Sequence, residues 1–595
     1  MNFFDFYTGQ VFNAYEFLGA HQSKQGVVFR VYAPSAKKIC LIGEFNEWQE
    51  HEMTKVCDGN FYECCVDNAR AGMMYKYRVY GQDDSCVDHC DPFGFSMELR
   101  PRNASIITCM NDYIFHDDHW INQKHCMKNQ PLNIYEIHFG SFKKPSQSYD
   151  DWYSYEDMID ILIPYLKEMG YNYLEIMPLN EYPCDESWGY QSTGFYAPTS
   201  RYGTPLQLKK FIDICHQNDI GVIMDFIPVH FAIDSYALAR FDGTPLYEYP
   251  HQAVGMSEWG SCNFMHSRGE VRSFLQSAAN YWLKEFHFDG LRMDAISRAI
   301  YWQGNPERGV NLNAIEFLKT MNQGLKERFP HCLLIAEDST SYPGVTKPVC
   351  QGGLGFDYKW DMGWMNDTLD YFHLEFNQRH QHYHKLTFSM MYYYQEYYLL
   401  PLSHDEVVHG KGTIIQKMNG SYEEKFAQAR AFYMYMYGHP GKKLNFMGNE
   451  IAQFREWDEK RQQDWQLLSY PLHDSFARFM RDLNRFYLYH PALFELDECQ
   501  EGFQWIDCHQ EDKCIYIFER FSSCERIVAV FHFSNKKYEN FVLKVDHASY
   551  LQEIFSSQRD IYGGNEKDFG TVIEKKDEHF TIAIQPFSAT YYFVK

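Results

Sequence analysis

No stretch of the chain stays apolar for the roughly 20 residues that a membrane span needs. A basic leader is missing too: the start, Met1-Asn2-Phe3-Phe4-Asp5, carries an acid where a secretory signal would carry lysine or arginine. Positive charge is scarce. Lys and Arg number 55 against 79 Asp and Glu, and the formal net charge of −24 disfavours nucleic acid and anionic lipid as partners. Paired cysteine spacing is lacking as well: the 17 thiols are scattered, and Cys86, His89 and Cys90 have no second pair at zinc-finger spacing. Free thiols in a reducing cytoplasm are the expectation, with neither a metal clip nor a disulfide framework. Solenoid-period repeats and low-complexity linkers are also absent.

Aromatic residues are what the chain has in excess. Phe, Tyr and Trp make up 18% of 595 residues, and such rings bury area well and stack on flat apolar faces such as those of sugars. The length calls for two to four domains with at least one large core.

Short alternating strands separated by turns open the chain (27–31, 39–42, 61–66 and 75–80), forming an all-β unit over residues 1–110. From residue 133 the rhythm becomes strand, loop, amphipathic helix, strand. Eight apolar strands are predicted at 133–139, 171–179, 221–229, 288–295, 332–338, 355–361, 397–403 and 442–448. Helical spacing fills the gaps, as in Leu208, Phe211, Ile212 and Cys215 after Pro205. Alternation on this scale implies a multidomain α/β protein whose centre, residues 111–495, is a closed (β/α)8 barrel. Residues 231–269 are too many for a plain connection and are expected to form an excursion at the barrel top. Short strands return over 496–595 as a second β unit.

Reacting groups in such a barrel sit at the C-terminal ends of the strands. Four acids qualify: Asp225 in 221-GVIMDFIPVH-230, Asp294 in 289-DGLRMDA-295, Glu337 in 333-LLIAED-338 and Asp405 in 402-LSHDEVVHG-410. Any one alone reads best as an ion-pair partner or helix cap; four at one mouth repel, and that cost is met where chemistry needs acids in different protonation states. Arg292 lies two residues before Asp294, hence on the same strand face, and would hold it ionised. One anion and one acid make a glycosidase-type pair. The histidines His373, His380, His382 and His384 tempt a metal assignment, but paired-carboxylate chemistry needs none, and they are read as loop.

These motifs resemble those of the α-amylase superfamily. With 186-ESWGYQSTGFYAPTSRYGTP-205, 355-GFDYKWDMGWMNDTLDY-371, 385-KLTFSMM-391, 401-PLSHDEVVHGK-411 and 444-LNFMGNEIAQFREW-457, the resemblance narrows to 1,4-α-glucan (glycogen) branching enzymes over nearly the whole chain. It implies that the two flanking units are β-sandwiches, the first similar to carbohydrate-binding modules. It further implies Asp294 as nucleophile, Glu337 as acid and base, and Asp405, His404 and His230 as ligands of sugar hydroxyls. Tyr190 would be the stacking floor, and Asp225 with Arg292 would orient the nucleophile. Trp48, in 43-GEFNEW-48, is expected in the core of its unit. Phe226 stands where the family often has Trp, which alters packing behind the site. The implied partner is an α-1,4-glucan such as glycogen or amylose, met by a monomer without cofactor, metal, nucleic acid or membrane. A hydrolase or debranching enzyme, and a glycan-binding scaffold without turnover, are the competing readings.

Overall fold

The computed structural model describes residues 1–123 and 127–595. Eight parallel strands close into a barrel: β1 (Asn133–Ile137), β2 (Tyr173–Ile176), β3 (Gly221–Phe226), β4 (Gly290–Met293), β5 (Leu333–Ala336), β6 (Tyr358–Trp360), β7 (Tyr398–Leu402) and β8 (Lys442–Phe446). Each lies within a stretch that the apolar runs predict. Closure comes from β1 pairing with β8, Asn133 opposite Lys443. Side chains alternate along a strand, and the inward set begins with a dry layer that includes Ile134, Tyr173, Ile223, Leu333, Ile335, Tyr358, Trp360, Leu399 and Leu444. Two residues further along their strands, the same parity delivers Glu136, Glu175 and Asp225, with Arg292 from β4, into the upper lumen, all four buried.

Helices cover the barrel at Tyr155–Met169, Pro205–Gln217, Gly269–Glu285, Leu312–Arg328, Met362–His373 and Tyr422–Gly438, and Pro471–Tyr489 follows the last strand. Their starts are chemically marked. Ser154, Thr204 and Ser421 each cap their helix and are answered by the third helical residue, Asp157, Gln207 and Glu424. The alternation fails at one place: between β5 and β6 there is only the short 3-10 turn Val349–Gln351. Pro343, Pro348 and glycines 344, 352, 353 and 355 break any helical pattern there, and the segment runs as a series of turns and bends.

The flanking units are two-sheet structures. In the first, the sheet holding Gly26–Tyr32 faces the sheet holding Met74–Tyr80, and Phe29 meets Tyr75 edge-on at 4.9 Å. The last unit packs a six-stranded sheet on a two-stranded one, with Ile515, Ile517 and Val528 against Phe541, Phe580 and Ile582. Both are bolted to the barrel region by polar contacts: from the first unit the Ser35 N–H donates to Asp242 Oδ2 at 2.9 Å. Arg520 spans from Asp497 (2.6 Å) to the Gly438 carbonyl (2.6 Å), and Arg430 donates to the Ser557 carbonyl at 2.8 Å. Trp48 departs from expectation: it is 38% exposed, because Glu47 and Trp48 both adopt left-handed backbone (φ 56° and 59°) in a turn that carries the ring to the rim of its sheet. His380 and His382 lie on a 3-10 turn, His373 ends a helix and His384 begins one, rather than lying in open loop.

The N-terminal helix Phe3–Thr8 lies on the helix Gly269–Glu285, and at the crossing a β-carbon on Gly269 would meet the Tyr7 carbonyl oxygen at 1.8 Å. Gly269→Ala is therefore expected to cost about 1–3 kcal/mol, read as a lowered Tm in a thermal scan; an unchanged Tm would contradict this close approach.

Candidate active site

The lumen residues meet at one guanidinium. Arg292, essentially inaccessible, donates from Nη1 to both Asp225 oxygens (2.7 Å each) and to Asp294 Oδ1 (3.0 Å), while Nη2 donates to Glu337 Oε2 (3.0 Å). Its plane lies over the Trp360 ring, Cζ 4.4 Å from the centroid. Asp294 and Glu337 stand immediately beyond the ends of β4 and β5, one to each side of this cation. The backbone helps: Ala295, in left-handed conformation at φ 51°, aims its N–H at Glu337 Oε2, 2.9 Å away.

The same environment drives the two carboxyls apart. For Asp294, burial pushes upward, but the His230 imidazole (Nε2 at 3.7 Å) and the Arg292 charge outweigh it and hold the carboxyl below its ordinary value. For Glu337, burial dominates; Arg292 opposes it, while the negative charges of Asp294 and Asp405 add to it, and the carboxyl is pushed up to about 8. Near neutral pH the pair is thus one carboxylate and one carboxylic acid. Paired carboxyls of this kind act on an acetal linkage by nucleophilic attack and proton donation.

His404 is the second cation. Burial disfavours its charge, but Asp405 and Glu136 overcome that and lift the imidazole to about 9. Nδ1 contacts Glu136 Oε1 at 2.5 Å, leaving Nε2 toward the Tyr190 hydroxyl (3.3 Å) and Asp405 (3.5 Å). Tyr190 donates to Asp225 Oδ2 at 2.5 Å, and its ring stacks on His404 with centroids 5.6 Å apart. The loop that carries it is held from behind by Asp185, which accepts from Arg100 Nε (2.8 Å) and Arg201 Nε (2.7 Å).

Asp294, Glu337, Asp405, Tyr190, His230 and His404 line a single pocket of about 380 Å³. Asp225 and Arg292 do not reach it; they stand behind and hold what does. Sequence reasoning passed over four contributors. Trp259, on the tip of the 231–269 excursion, packs on His230 at 5.1 Å, and Trp188 stacks on His409 at 5.4 Å. Glu136 orients His404, and Glu175, opposite it in the β1–β2 register, has neither carboxylate oxygen hydrogen-bonded among the described residues. A lone acid in each of the apolar strands NIYEI and YLEI was the available signal. Burial and the neighbouring Glu136 charge raise Glu175 well above the usual range. Among the described residues no group of three or more His, Cys, Asp or Glu is disposed to hold a metal ion, and no helix is long and apolar enough to cross a membrane.

Comparison with known proteins agrees with this fold. Residues 17–94 match the model of carbohydrate-binding module 48 (isoamylase N-terminal domain), 138–243 the α-amylase catalytic domain, and 505–595 the α-amylase C-terminal all-β domain. The chain is 42% identical to a 1,4-α-glucan branching enzyme GlgB of Oceanobacillus iheyensis, covering 98% of this chain and 96% of that one. It is 43% identical to the Fusobacterium nucleatum protein of the same name, covering 95% and 92%. Among solved structures, the fold is shared with a pullulanase from Anoxybacillus sp. LM18-11 (TM-score 0.76, 16% identity, 100% and 89% covered). A putative α-amylase from Salmonella typhimurium shares it too (TM-score 0.73, 18% identity, 97% and 99% covered). With two-sheet units on either side of the barrel and relatives this similar over nearly its whole length, the chain belongs to the 1,4-α-glucan branching enzymes of the α-amylase superfamily.

Proposed function

We propose that Asp294, Glu337 and Asp405 carry the branching reaction of this chain, and that the opposite displacement of Asp294 and Glu337 around Arg292 is what enables it. Asp294 attacks the anomeric carbon of a glucosyl unit. The bond from C1 to the departing O4 breaks, a bond from C1 to the Asp294 carboxylate forms, and Glu337 gives its proton to O4. Two carboxyls bound to one guanidinium stand side by side, which suits the spacing of about 5–5.5 Å used in double displacement rather than the wider one that admits water between. Glu337, now ionised, takes the proton of an acceptor 6-hydroxyl, whose oxygen displaces Asp294 and completes an α-1,6 linkage with retained configuration. No redox or nucleotide cofactor enters this balance.

Asp405, 46% exposed in its side chain, projects into the pocket beside the His404 cation, where it accepts from sugar hydroxyls and opposes the positive charge of the oxocarbenium-like transition state. His230 and His404 donate to the same sugar, and the Tyr190 ring forms its floor. Asp225 is a positioning residue, acting through Arg292 and Tyr190. The physiological setting we infer is a cytoplasmic monomer working on glycogen-like chains. Purified enzyme acting on amylose tests the reaction itself: iodine absorbance is expected to fall while reducing ends stay nearly constant. A parallel rise in reducing ends would make it a hydrolase.

Asp294→Ala and Glu337→Gln should lower branching by on the order of 10³-fold or more with the thermal transition retained; near-native activity in either would remove that residue from the chemistry. The pH profile has a required shape. Glu337 must carry its proton in the first step, so kcat/KM falls as pH rises through about 8; Asp294 must be ionised, so the acid limb lies below the ordinary aspartate value of roughly 3.9. An alkaline limb near pH 5, with no loss on the acid side, would contradict the assignment of roles.

A further inference from the structure

One buried acid of the lumen has no part in the chemistry of Asp294 and Glu337. Glu175 on β2 faces inward and is 1% exposed, and neither of its oxygens has a hydrogen-bond partner among the described residues. We propose that Glu175 is a positioning residue of the branching reaction: it stands beside Glu136 as a neutral, protonated acid and acts through Glu136 on the 403–405 turn, which carries two ligands of the reacting sugar. The proposal rests on the reading that His404 and Asp405 hold that sugar.

The geometry starts at Glu136. Its Oε1 accepts from His404 Nδ1 (2.5 Å) and from Ser403 Oγ (3.1 Å), while Oε2 accepts from the His404 backbone N–H (3.2 Å). One carboxylate therefore pins both the ring and the backbone of the same histidine and leaves Nε2 for the pocket. A carboxylate has about four acceptor sites, so Oε2 keeps room for a further donor. Glu175 lies opposite Glu136 in the β1–β2 register. Neighbouring strands are roughly 4.8 Å apart and the two residues share the inward parity, which sets their carboxyls side by side. Two anions there would repel, whereas a protonated Glu175 supplies the donor that Oε2 can take.

Charge counting points the same way. Arg292 from β4 gives its terminal nitrogens to Asp225, Asp294 and Glu337, and His404 gives Nδ1 to Glu136, so no cation is left for Glu175. The remaining Arg292 donor, Nε–H, has no partner among the described residues, and Glu175 does not take it as a buried anion would. Beneath lies the apolar layer with Tyr173 and Ile223. Burial raises the Glu175 carboxyl most; the charges of Glu136 and of Asp225 on β3 add to it, and Arg292 and His404 oppose without overcoming it, so the group stands well above the usual carboxylate range. A neutral acid at this place steadies Glu136 without adding charge. An anion there would add to the negative field around Glu337 and make it a weaker proton donor.

The test compares the full-length enzyme with Glu175→Gln, in which an amide replaces a neutral carboxyl of equal size. Their infrared difference spectrum, recorded above the Glu337 value of about 8, is expected to show the carbonyl stretch of a protonated carboxyl lost in the variant. Loss of carboxylate stretches instead would mean an ionised Glu175 and overturn the proposal. In the iodine assay Glu175→Leu, which fills the space without a donor, should lower kcat about tenfold, and Glu175→Gln should recover most of it. A leucine variant as active as the glutamine one would reduce Glu175 to a space-filler and sink the idea. Glu136→Gln should move the alkaline limb of kcat/KM below about 8, since His404, lifted to about 9 by Asp405 and Glu136, then loses its charge earlier as pH rises; an unmoved limb would break the link through His404. If the leucine variant does not fold, the infrared measurement decides. Asp294→Ala judges the catalytic assignment on its own, so the two readings fail separately.

Discussion

One buried cation sets the terms for everything around it. Arg292 is sealed in the lumen, and a guanidinium there is tolerable only because Asp225, Asp294 and Glu337 surround it and Trp360 faces it. The converse holds as strongly: three carboxyls could not be packed so closely without it. Three potential negative charges against one positive leave an excess, and burial together with that excess pushes two of the carboxyls upward, Asp225 to about 7 and Glu337 to about 8, while Asp294 is held low. The opposite displacement of Asp294 and Glu337 thus follows from burial acting on both and from cations, Arg292 and His230, that favour Asp294 more.

The fold delivers these groups with little freedom. Strand parity decides which residues face inward, and the hydrophobic layer beneath fixes the height at which the polar ones begin. A second ion pair, Glu136 with His404, sits beside the first and gives the pocket a fixed donor where Arg292 gives it a fixed charge. Loops supply the rest: Trp188 and Tyr190 from one side, Trp259 from the other, each braced by a histidine ring.

Much of this could be read from the residues. Eight apolar stretches, each too short for a core helix and followed by breaker residues, could only be parallel strands, and the acids at their C-terminal ends then fell on one rim. Arg292 and Asp294 two apart on β4 forced a shared face. What could not be read depends on contacts across the fold. Nothing local in NIYEI says that Glu136 will meet His404, 268 positions away, and Trp259 belongs to an excursion whose path the sequence leaves open. The absent helix after β5 is a different kind of miss: its prolines and glycines were visible, but the surrounding alternation suggested a helix by analogy with its neighbours. Trp48 was misjudged because a left-handed turn, not hydrophobicity, decides where its ring goes.

Asp185 takes one arginine, Arg201, from the barrel and another, Arg100, from the stretch that leads out of the first β unit. It accordingly serves as a joint between the sheet-built leading unit and the loop that ends in Tyr190. Removing residues up to about 110 would strip away more than an appended sheet unit: it would leave Asp185 with half its counter-charge and loosen the wall of the pocket from outside. The leading unit is in this sense part of the frame of the proposed active site, and an engineered variant has to keep the two together.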